Sequence, residues 1–199
     1  MIIGIAAILR TSGRLIFELQ KRSKWIRNGS GTLQIGLGCI GGRLEPKESP
    51  LMALYREALE EIGCQVHLDL PSTPCPFLVR PDYTIEQLHH VTEEWPAIFY
   101  WQGNQPSDLP GVSVAVFSGK VEGEIQLGDL PRVLCMDRAI LSKLNQQQLS
   151  IGEVLQSGGI LIEQEGMPRE ALLMPVATVK VLLELQRHAP KYFAQCVWR

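Results

Sequence analysis

The sequence predicts a single α/β (α+β) domain over residues 1–199, in which strands and helices are interleaved along the chain. Short apolar runs bounded by Gly, Pro and Ser indicate strands, and segments with helical apolar periodicity indicate helices. With 199 residues and 45% hydrophobic composition, the chain is long enough to bury one sizeable core. No internal repeat or linker divides it.

The chain begins with a predicted hairpin. Residues 2–9 are apolar, RTSG at residues 10–13 indicates a turn, and residues 14–20 indicate a second strand. The first run lacks a basic leading segment and ends at Arg10 after only about eight residues. We therefore expect a strand there and neither a signal peptide nor a membrane span.

A basic segment with one aromatic residue follows the hairpin. In KRSKWIRNGSG, at residues 21–31, Arg22 and Arg27 flank Trp25. Guanidinium groups suit phosphates and an indole ring can stack on a base, so these three residues are candidate substrate-binding residues. The alternative is a solvated hairpin end in which Trp25 is half-buried.

The run at residues 42–64, GRLEPKESPLMALYREALEEIGC, fits the pattern G-x5-E-x7-R-E-U-x-E-E-x-G-U, where U is a bulky or apolar residue. Ala58 and Cys64 occupy the apolar positions and are smaller than the usual aliphatic residue. Every fixed position of the pattern matches, namely Gly42, Glu48, Arg56, Glu57, Glu60, Glu61 and Gly63.

The same run contains start and stop signals for one helix. Ser49 can cap free backbone donors, Pro50 fits the first helical position, and Gly63 can adopt the left-handed conformation past the last turn. We therefore expect a helix from about residue 50 to residue 62. Its buried apolar stripe is predicted to contain Leu51, Leu54, Tyr55, Ala58 and Ile62.

Beside that stripe lie three carboxylates. Glu57, Glu60 and Glu61 stand at i, i+3 and i+4, which places them on one helix face. Repulsion between carboxylates this close disfavours their full ionisation unless a cation lies among them. Carboxylate oxygens suit a hard cation such as Mg²⁺. A solvated acidic face is the ordinary alternative.

The surrounding residues favour the metal site over the solvated face. Gly41 and Gly42 allow a tight turn whose carbonyl can reach a metal. Arg56 can pair with Glu48 or Glu60 and hold the carboxylates in position. A plain surface pair between Arg56 and Glu60 is the alternative for that arginine.

The pattern at residues 42–64 resembles the Nudix box, and the chain is identified by it as a member of the Nudix hydrolase family. The resemblance implies an α/β/α sandwich with a mixed β-sheet, in which the box forms a loop-helix-loop. It also implies metal-dependent hydrolysis of a nucleoside diphosphate linked to a moiety X, which yields a nucleoside monophosphate and X-phosphate. No subgroup is identified.

The resemblance also assigns roles within the box. It implies that Glu57, Glu60 and Glu61 bind the metal together with the carbonyl of Gly42 or of its neighbour Gly41. The expected ion is Mg²⁺, with Mn²⁺ as the alternative. The resemblance further implies that Arg56 and Glu48 form a pair that orients the carboxylates. The candidate acceptor of the proton from the attacking water is Glu57 or Glu61, and the alternatives are Glu93, Glu94, Glu122 and Glu124.

Two other functions stay open. The first is a catalytically silent module of the same fold that binds a nucleotide without hydrolysing it. The second is coenzyme A pyrophosphatase, because Arg22-Ser23-x3-Arg27-x3-Gly31 resembles part of that family's upstream signature. The match ends there, since four additional residues intervene and Cys39-Ile40-Gly41-Gly42 stands in place of Phe-Pro-Gly-Gly.

The rest of the chain is predicted element by element. Pro81 and Tyr83 are expected to be loop residues or substrate contacts, and His89 with His90 is not expected to form a metal site. The elements from about residue 145 onward exceed the minimal family core and can complete the substrate pocket or form a homodimer surface. We expect strands at 65–70, 97–101 and 160–165, a strand and a turn within 112–127, a loop at 71–83, and helices at 136–144, capped by Asp137, at 151–156 and at 175–188.

Composition narrows the class of partner. The net charge of −2 disfavours stable nucleic-acid binding, so the expected partner is a small nucleoside diphosphate derivative. The five cysteines form no C-x-x-C pair and are odd in number, which is typical of reduced thiols in a cytoplasmic protein.

Overall fold

The computed structural model describes residues 2–69, 76–88, 97–102 and 113–198. The strands of these residues are β1 (Ile2–Thr11), β2 (Arg14–Leu19), β3 (Ile26–Arg27), β4 (Leu33–Gly38), β5 (Gln65–Leu68), β6 (Phe77–Val79), β7 (Ile85–Gln87), β8 (Phe99–Trp101), β9 (Ser113–Glu122), β10 (Arg132–Met136), β11 (Ile160–Glu163) and β12 (Leu172–Pro175). The α-helices are α1 (Pro50–Ile62), α2 (Arg138–Leu144), α3 (Ile151–Gln156), α4 (Ala177–His188) and α5 (Pro190–Val197).

The strands form one mixed sheet. Its main path runs β11-β10-β2-β1-β9-β8-β6-β7. Strand β1 is antiparallel to β2, which confirms the predicted hairpin, and parallel to β9. Strand β4 pairs with β2 and β3 and, in parallel, with β12, while β5 pairs with β9.

Two apolar cores lie on opposite faces of this sheet. Side chains of β1 alternate between them, with Ala6 and Ile8 in one core and Ala7 and Leu9 in the other. Helix α1 contributes to the second core, and α2 to α5 contribute to the first. The layers are therefore helix, sheet and helix, which confirms the predicted α/β/α sandwich.

Several elements differ from the sequence prediction. The segment predicted as a loop at residues 71–83 contains β6, which pairs in parallel with β8, because a short strand between prolines lacks a visible alternation. Strands β3, β7, β10 and β12 were not predicted. Residues 89–96, with His89, His90, Glu93 and Glu94, lie outside the described residues.

The described cysteines are Cys39, Cys64, Cys135 and Cys196, and the first three are free thiols. Cys75 lies outside the described residues. Within the four described ranges, the helices are all too short or too polar to cross a membrane.

Candidate active site

Helix α1 has the bounds that its sequence predicts. The Ser49 side chain accepts a hydrogen bond from the Met52 backbone N–H at 3.2 Å, and Gly63 ends the helix in the left-handed conformation at φ 62°. The apolar stripe needs one correction. Tyr55 is 46% exposed, whereas Ala53, two residues earlier, is buried in the core between α1 and the sheet.

The loop before α1 lies tightly against β1. The Gly42 carbonyl accepts a hydrogen bond from the Ile5 N–H at 2.9 Å. A Cβ at Gly41 would lie 2.4 Å from the Ile5 carbonyl oxygen, and one at Gly42 would lie 2.1 Å from Oε1 of Glu57. Neither position has room for a side chain, so the two glycines allow the loop and the Glu57 carboxylate to meet.

Arg56 lies at the centre of the carboxylate cluster. Its Nε and Nη2 atoms donate to the two oxygens of Glu48 at 2.9 and 3.1 Å, and Nη1 donates to Glu57 and Glu60 at 3.0 Å each. Nη2 also donates to the Arg43 carbonyl at 3.2 Å. These hydrogen bonds, that to Glu48 above all, raise the pKa of Arg56 and lower the pKa of Glu48. The guanidinium therefore holds three box carboxylates together.

Glu61 is directed away from Arg56 towards the glycine loop. Its Oε2 atom accepts a hydrogen bond from the Gly41 N–H at 3.0 Å. Burial above all, together with the charges of Glu18 and Glu57, raises its pKa to about 8, although the hydrogen bond from Gly41 and the charge of Lys21 lower it. The carboxyl of Glu61 thus lies where a negative charge is costly unless a cation is near.

Glu18 is a further carboxylate of this site, and the sequence reasoning missed it. It follows Ile16 by two residues in β2, and Ile16 lies in the core that α1 covers, so Glu18 faces the same side of the sheet. Burial raises its pKa, while Lys24 and Lys21 lower it. The signal in the sequence was one acidic residue among the apolar residues that follow Arg14 in this strand.

The acidic side chains described above are not arranged around a common point as metal ligands would be. Among the described residues, no group of three or more His, Cys, Asp or Glu side chains is arranged to hold a metal ion. Arg56 holds Glu57 and Glu60, whereas Glu61 is bound to the loop. The donors nevertheless fit a hard divalent cation in chemistry, because all are carboxylate or carbonyl oxygens.

The basic segment after β2 divides into two parts. Trp25 donates from its Nε1 atom to the Gln20 carbonyl at 2.7 Å, and the Arg22 guanidinium carbon lies 5.6 Å from the centre of its ring. Arg27 instead donates to the Gly31 carbonyl at 2.6 Å, within its own turn. The structure therefore brings Arg22 and Trp25 together and leaves Arg27 apart from them.

The remaining candidates lie at the margins. The exposed side chain of Glu122 contacts Nε2 of His67 at 2.7 Å, and Glu124 is exposed in the turn after β9. Tyr83 has a φ of 66°, and the Lys180 ammonium lies 4.7 Å from the centre of its ring. None of these contacts reaches a box carboxylate.

Comparisons with known proteins agree with this architecture. Residues 2–132 match the NUDIX domain family. No curated protein sequence is significantly similar to the chain. Among solved structures, a NUDIX family hydrolase from Clostridium perfringens is similar at 14% identity, with 70% of this chain and 82% of that one covered and a TM-score of 0.45.

Two further solved structures show the same order of similarity. A NUDIX hydrolase from Nitrosomonas europaea is 18% identical, with 78% of this chain and 83% of that one covered and a TM-score of 0.38. A MutT NUDIX hydrolase from Burkholderia pseudomallei is 15% identical, with coverages of 64% and 74% and a TM-score of 0.33. The family match spans most of the chain and includes the complete box, so the chain belongs to the Nudix family and is a hydrolase that acts on a phosphoric anhydride bond.

Proposed function

We propose that this chain is a metal-dependent pyrophosphohydrolase that cleaves a nucleoside diphosphate linked to another moiety X into a nucleoside monophosphate and X-phosphate. The observation that carries the proposal is the cluster around Arg56, which gathers Glu48, Glu57 and Glu60 beside the glycine loop that holds Glu61. A silent binding module would have no need for this complete set of carboxylates.

The metal is proposed to be Mg²⁺, with Mn²⁺ as the alternative, held by Glu57, Glu60, Glu61 and one glycine carbonyl. The Gly42 carbonyl already accepts a hydrogen bond from Ile5, whereas the Gly41 carbonyl accepts none within the described part of the chain, which favours Gly41. A bound divalent cation would neutralise phosphate charge and lower the pKa of an attacking water.

The protein residues have distinct roles in this proposal. Arg56 and Glu48 position Glu57 and Glu60 through the hydrogen bonds described above. Glu61, whose pKa of about 8 suits a proton acceptor near neutral pH, is proposed to accept the proton of the attacking water, with Glu57 as the alternative. Glu18 adds a negative charge beside Glu61 and thereby favours binding of a cation there.

The cellular compartment and the extent of the domain are also proposals. The free thiols of Cys39, Cys64 and Cys135 support a reducing, cytoplasmic location. Residues 1–199 are proposed to act as one domain, since β10, β11 and β12 extend the sheet that contains β1.

A substrate panel tests the proposal. Nucleotide sugars, ADP-ribose, dinucleoside polyphosphates, coenzyme A and oxidised nucleoside triphosphates are incubated with the protein, with and without Mg²⁺, and the products are separated by ion-exchange chromatography. We expect release of a nucleoside monophosphate from at least one compound, and only with the metal. Tight binding of a compound without turnover of any would support the silent module instead.

A further inference from the structure

A cavity of about 310 Å³ lies where the C-terminal end of β2 meets the segments next to β10 and β11. Its charged lining consists of Lys21, Arg22, Arg132, Asp129 and Glu165. Three of these side chains are cationic and two are anionic, so the lining carries a net positive charge. A cavity of this sign favours an anionic group.

Arg132 is the unusual member of this lining, because it is completely buried. One of its donors, Nη2, binds Oε2 of Glu165 at 3.1 Å. Its Nε and Nη1 atoms have no acceptor within the residues that the structure describes. Buried guanidinium donors without acceptors are costly, and an apolar residue of similar size would fill the space without that cost. The buried charge of Arg132 is therefore compensated only in part, and an anion in the adjoining cavity would compensate more of it.

The surroundings fix the guanidinium of Arg132 in place. Its central carbon lies 5.4 Å from the centre of the Trp25 ring, and the ring is itself held by its hydrogen bond to the Gln20 carbonyl. Glu165 lies between two arginines, since it also approaches Nε of Arg22 at 3.5 Å. The cationic groups are therefore positioned before any ligand arrives, which lowers the entropic cost of binding.

This cavity lies next to the carboxylate site. The backbone N–H groups of Gly128 and Asp129 donate to the carbonyls of Glu61 and Glu60 at 3.1 and 2.9 Å, so one wall of the cavity rests on the end of α1. Lys21 lines the cavity and also acts electrostatically on Glu18 and Glu61. A molecule bound at the carboxylates can therefore extend into the cavity.

We propose that this cavity binds a phosphate group of the substrate that is additional to the diphosphate being cleaved, with Arg22 and Lys21 as its donors and Arg132 as a fixed positive charge beneath them. The planar fork of the exposed Arg22 guanidinium matches phosphate oxygens, and the buried charge of Arg132 adds attraction for an anion. The inference rests on the proposed hydrolase function and narrows its substrates to nucleoside diphosphate derivatives that carry a further phosphate. Free inorganic phosphate has the same chemistry and is the competing source.

The first experiment measures binding without turnover. Isothermal titration calorimetry of the metal-free protein with inorganic phosphate is expected to show one site. Lys21→Ala and Arg22→Ala, at exposed side chains, are expected to weaken binding by about threefold to tenfold each, and Arg132→Gln by more than tenfold. Arg187→Ala, which removes an exposed arginine paired with Glu184 on α4, serves as the matched control and is expected to leave binding unchanged.

The two exposed variants keep this test decisive if Arg132→Gln does not fold. Equal phosphate affinity in the wild type, Lys21→Ala and Arg22→Ala would overturn the proposal, as would the absence of any site. Water would then be the occupant of the cavity.

The second experiment separates a substrate phosphate from free phosphate. ADP-ribose and ADP-ribose 2′-phosphate differ by one phosphate, and Arg22→Ala is expected to raise KM by about threefold to tenfold more for the second compound than for the first. An equal change for both compounds, or none, would overturn the substrate assignment and leave free phosphate as the ligand. If neither compound is hydrolysed, the result counts against the proposed hydrolase function for these compounds. Calorimetry of the wild type and Arg22→Ala with the two compounds then tests phosphate binding in the cavity by the same comparison.

Discussion

At the scale of single residues, the site depends on close approaches that only small residues allow. The Glu57 carboxylate occupies the space that a side chain at position 42 would need, and Arg56 uses each of its donors on a carboxylate or a carbonyl. Glu61 and Glu18 add buried acidic groups that no protein cation neutralises by direct contact within the described residues. A cation bound here would offset the charge of these carboxylates.

Gly42→Ala tests the contact between the loop and the carboxylate. The new Cβ would lie 2.1 Å from Oε1 of Glu57, so Glu57 must move and metal binding at the proposed site is expected to weaken. We expect Mn²⁺ affinity, measured by electron paramagnetic resonance, to fall by about tenfold or more. Gly29→Ala is the matched control, because nothing lies within 4 Å of a Cβ there. Equal affinities in the two variants would remove Glu57 from the metal site.

Proton release tests the state of Glu61. Its pKa of about 8 means that this carboxyl is mostly protonated at pH 7 in the metal-free protein, and binding of a cation must remove the proton. Calorimetric titrations with Mg²⁺ at pH 7 in buffers of different ionisation enthalpy should therefore report protons released to the buffer. Glu61→Gln should abolish that release. Binding of Mg²⁺ without release in the wild type would contradict the assignment of Glu61 as a ligand.

At the scale of elements, α1 is defined by its two ends. Ser49 caps its first turn and Gly63 permits its last, so the box glutamates are held in a fixed register against the sheet. The same backbone signals made this helix predictable from the sequence, because capping and left-handed glycine are local effects. Elements held mainly by distant pairing, such as β10 and β12, were not predictable in the same way.

Ser49→Ala tests the contribution of the cap. Loss of the hydrogen bond to the Met52 N–H should lower the free energy of unfolding by about 1 kcal/mol. Urea denaturation monitored by circular dichroism measures the change. Ser157→Ala, at the exposed C-terminal end of α3, is the control and should alter stability by less than about 0.5 kcal/mol. A similar loss in both variants would show that the cap does not determine the stability of α1.

Only the part of the candidate site that lies on α1 was predictable from the sequence. The residues of the box lie close in sequence, so helical spacing alone grouped Glu57, Glu60 and Glu61. Glu18 and Arg132 are brought to their sites by strand pairing over long sequence distances, as when Val133 in β10 pairs with Glu18 in β2. No local pattern encodes that meeting, and the cavity around Arg132 depends on it.

At the scale of the whole molecule, a buried polar network ties the C-terminal helix to the centre of the sheet. Arg10 on β1 donates to Asp69 with Nη2 at 2.7 Å, and the Ser118 hydroxyl on β9 contacts Asp69 and the Cys196 carbonyl on α5, each at 2.7 Å. Burial disfavours the charge of Asp69, but the hydrogen bonds from Arg10 and Ser118 outweigh it and hold its pKa below the ordinary value. The network therefore stabilises the folded state when Asp69 is ionised.

This network gives the molecule a defined acid sensitivity. Because the folded pKa of Asp69 lies below its unfolded value of 3.8, its stabilisation is complete above that value and is lost as pH falls through the folded pKa. Asp69→Asn leaves the Arg10 charge buried and should lower the free energy of unfolding by about 3 kcal/mol at pH 7. The deficit relative to the wild type, measured by chemical denaturation, should shrink below pH 4. A deficit independent of pH would contradict the role of the charge.

The central claim is that the carboxylates on α1 hold a metal that is required for hydrolysis. The most direct measurement is turnover as a function of Mg²⁺ concentration for the wild type, Glu60→Gln and Glu61→Gln, with Glu184→Gln on α4 as the control and circular dichroism to verify folding. We predict that both box variants remain folded and lose at least about 100-fold in turnover, while the control does not. Near-normal rates in both box variants would show that the metal site lies elsewhere.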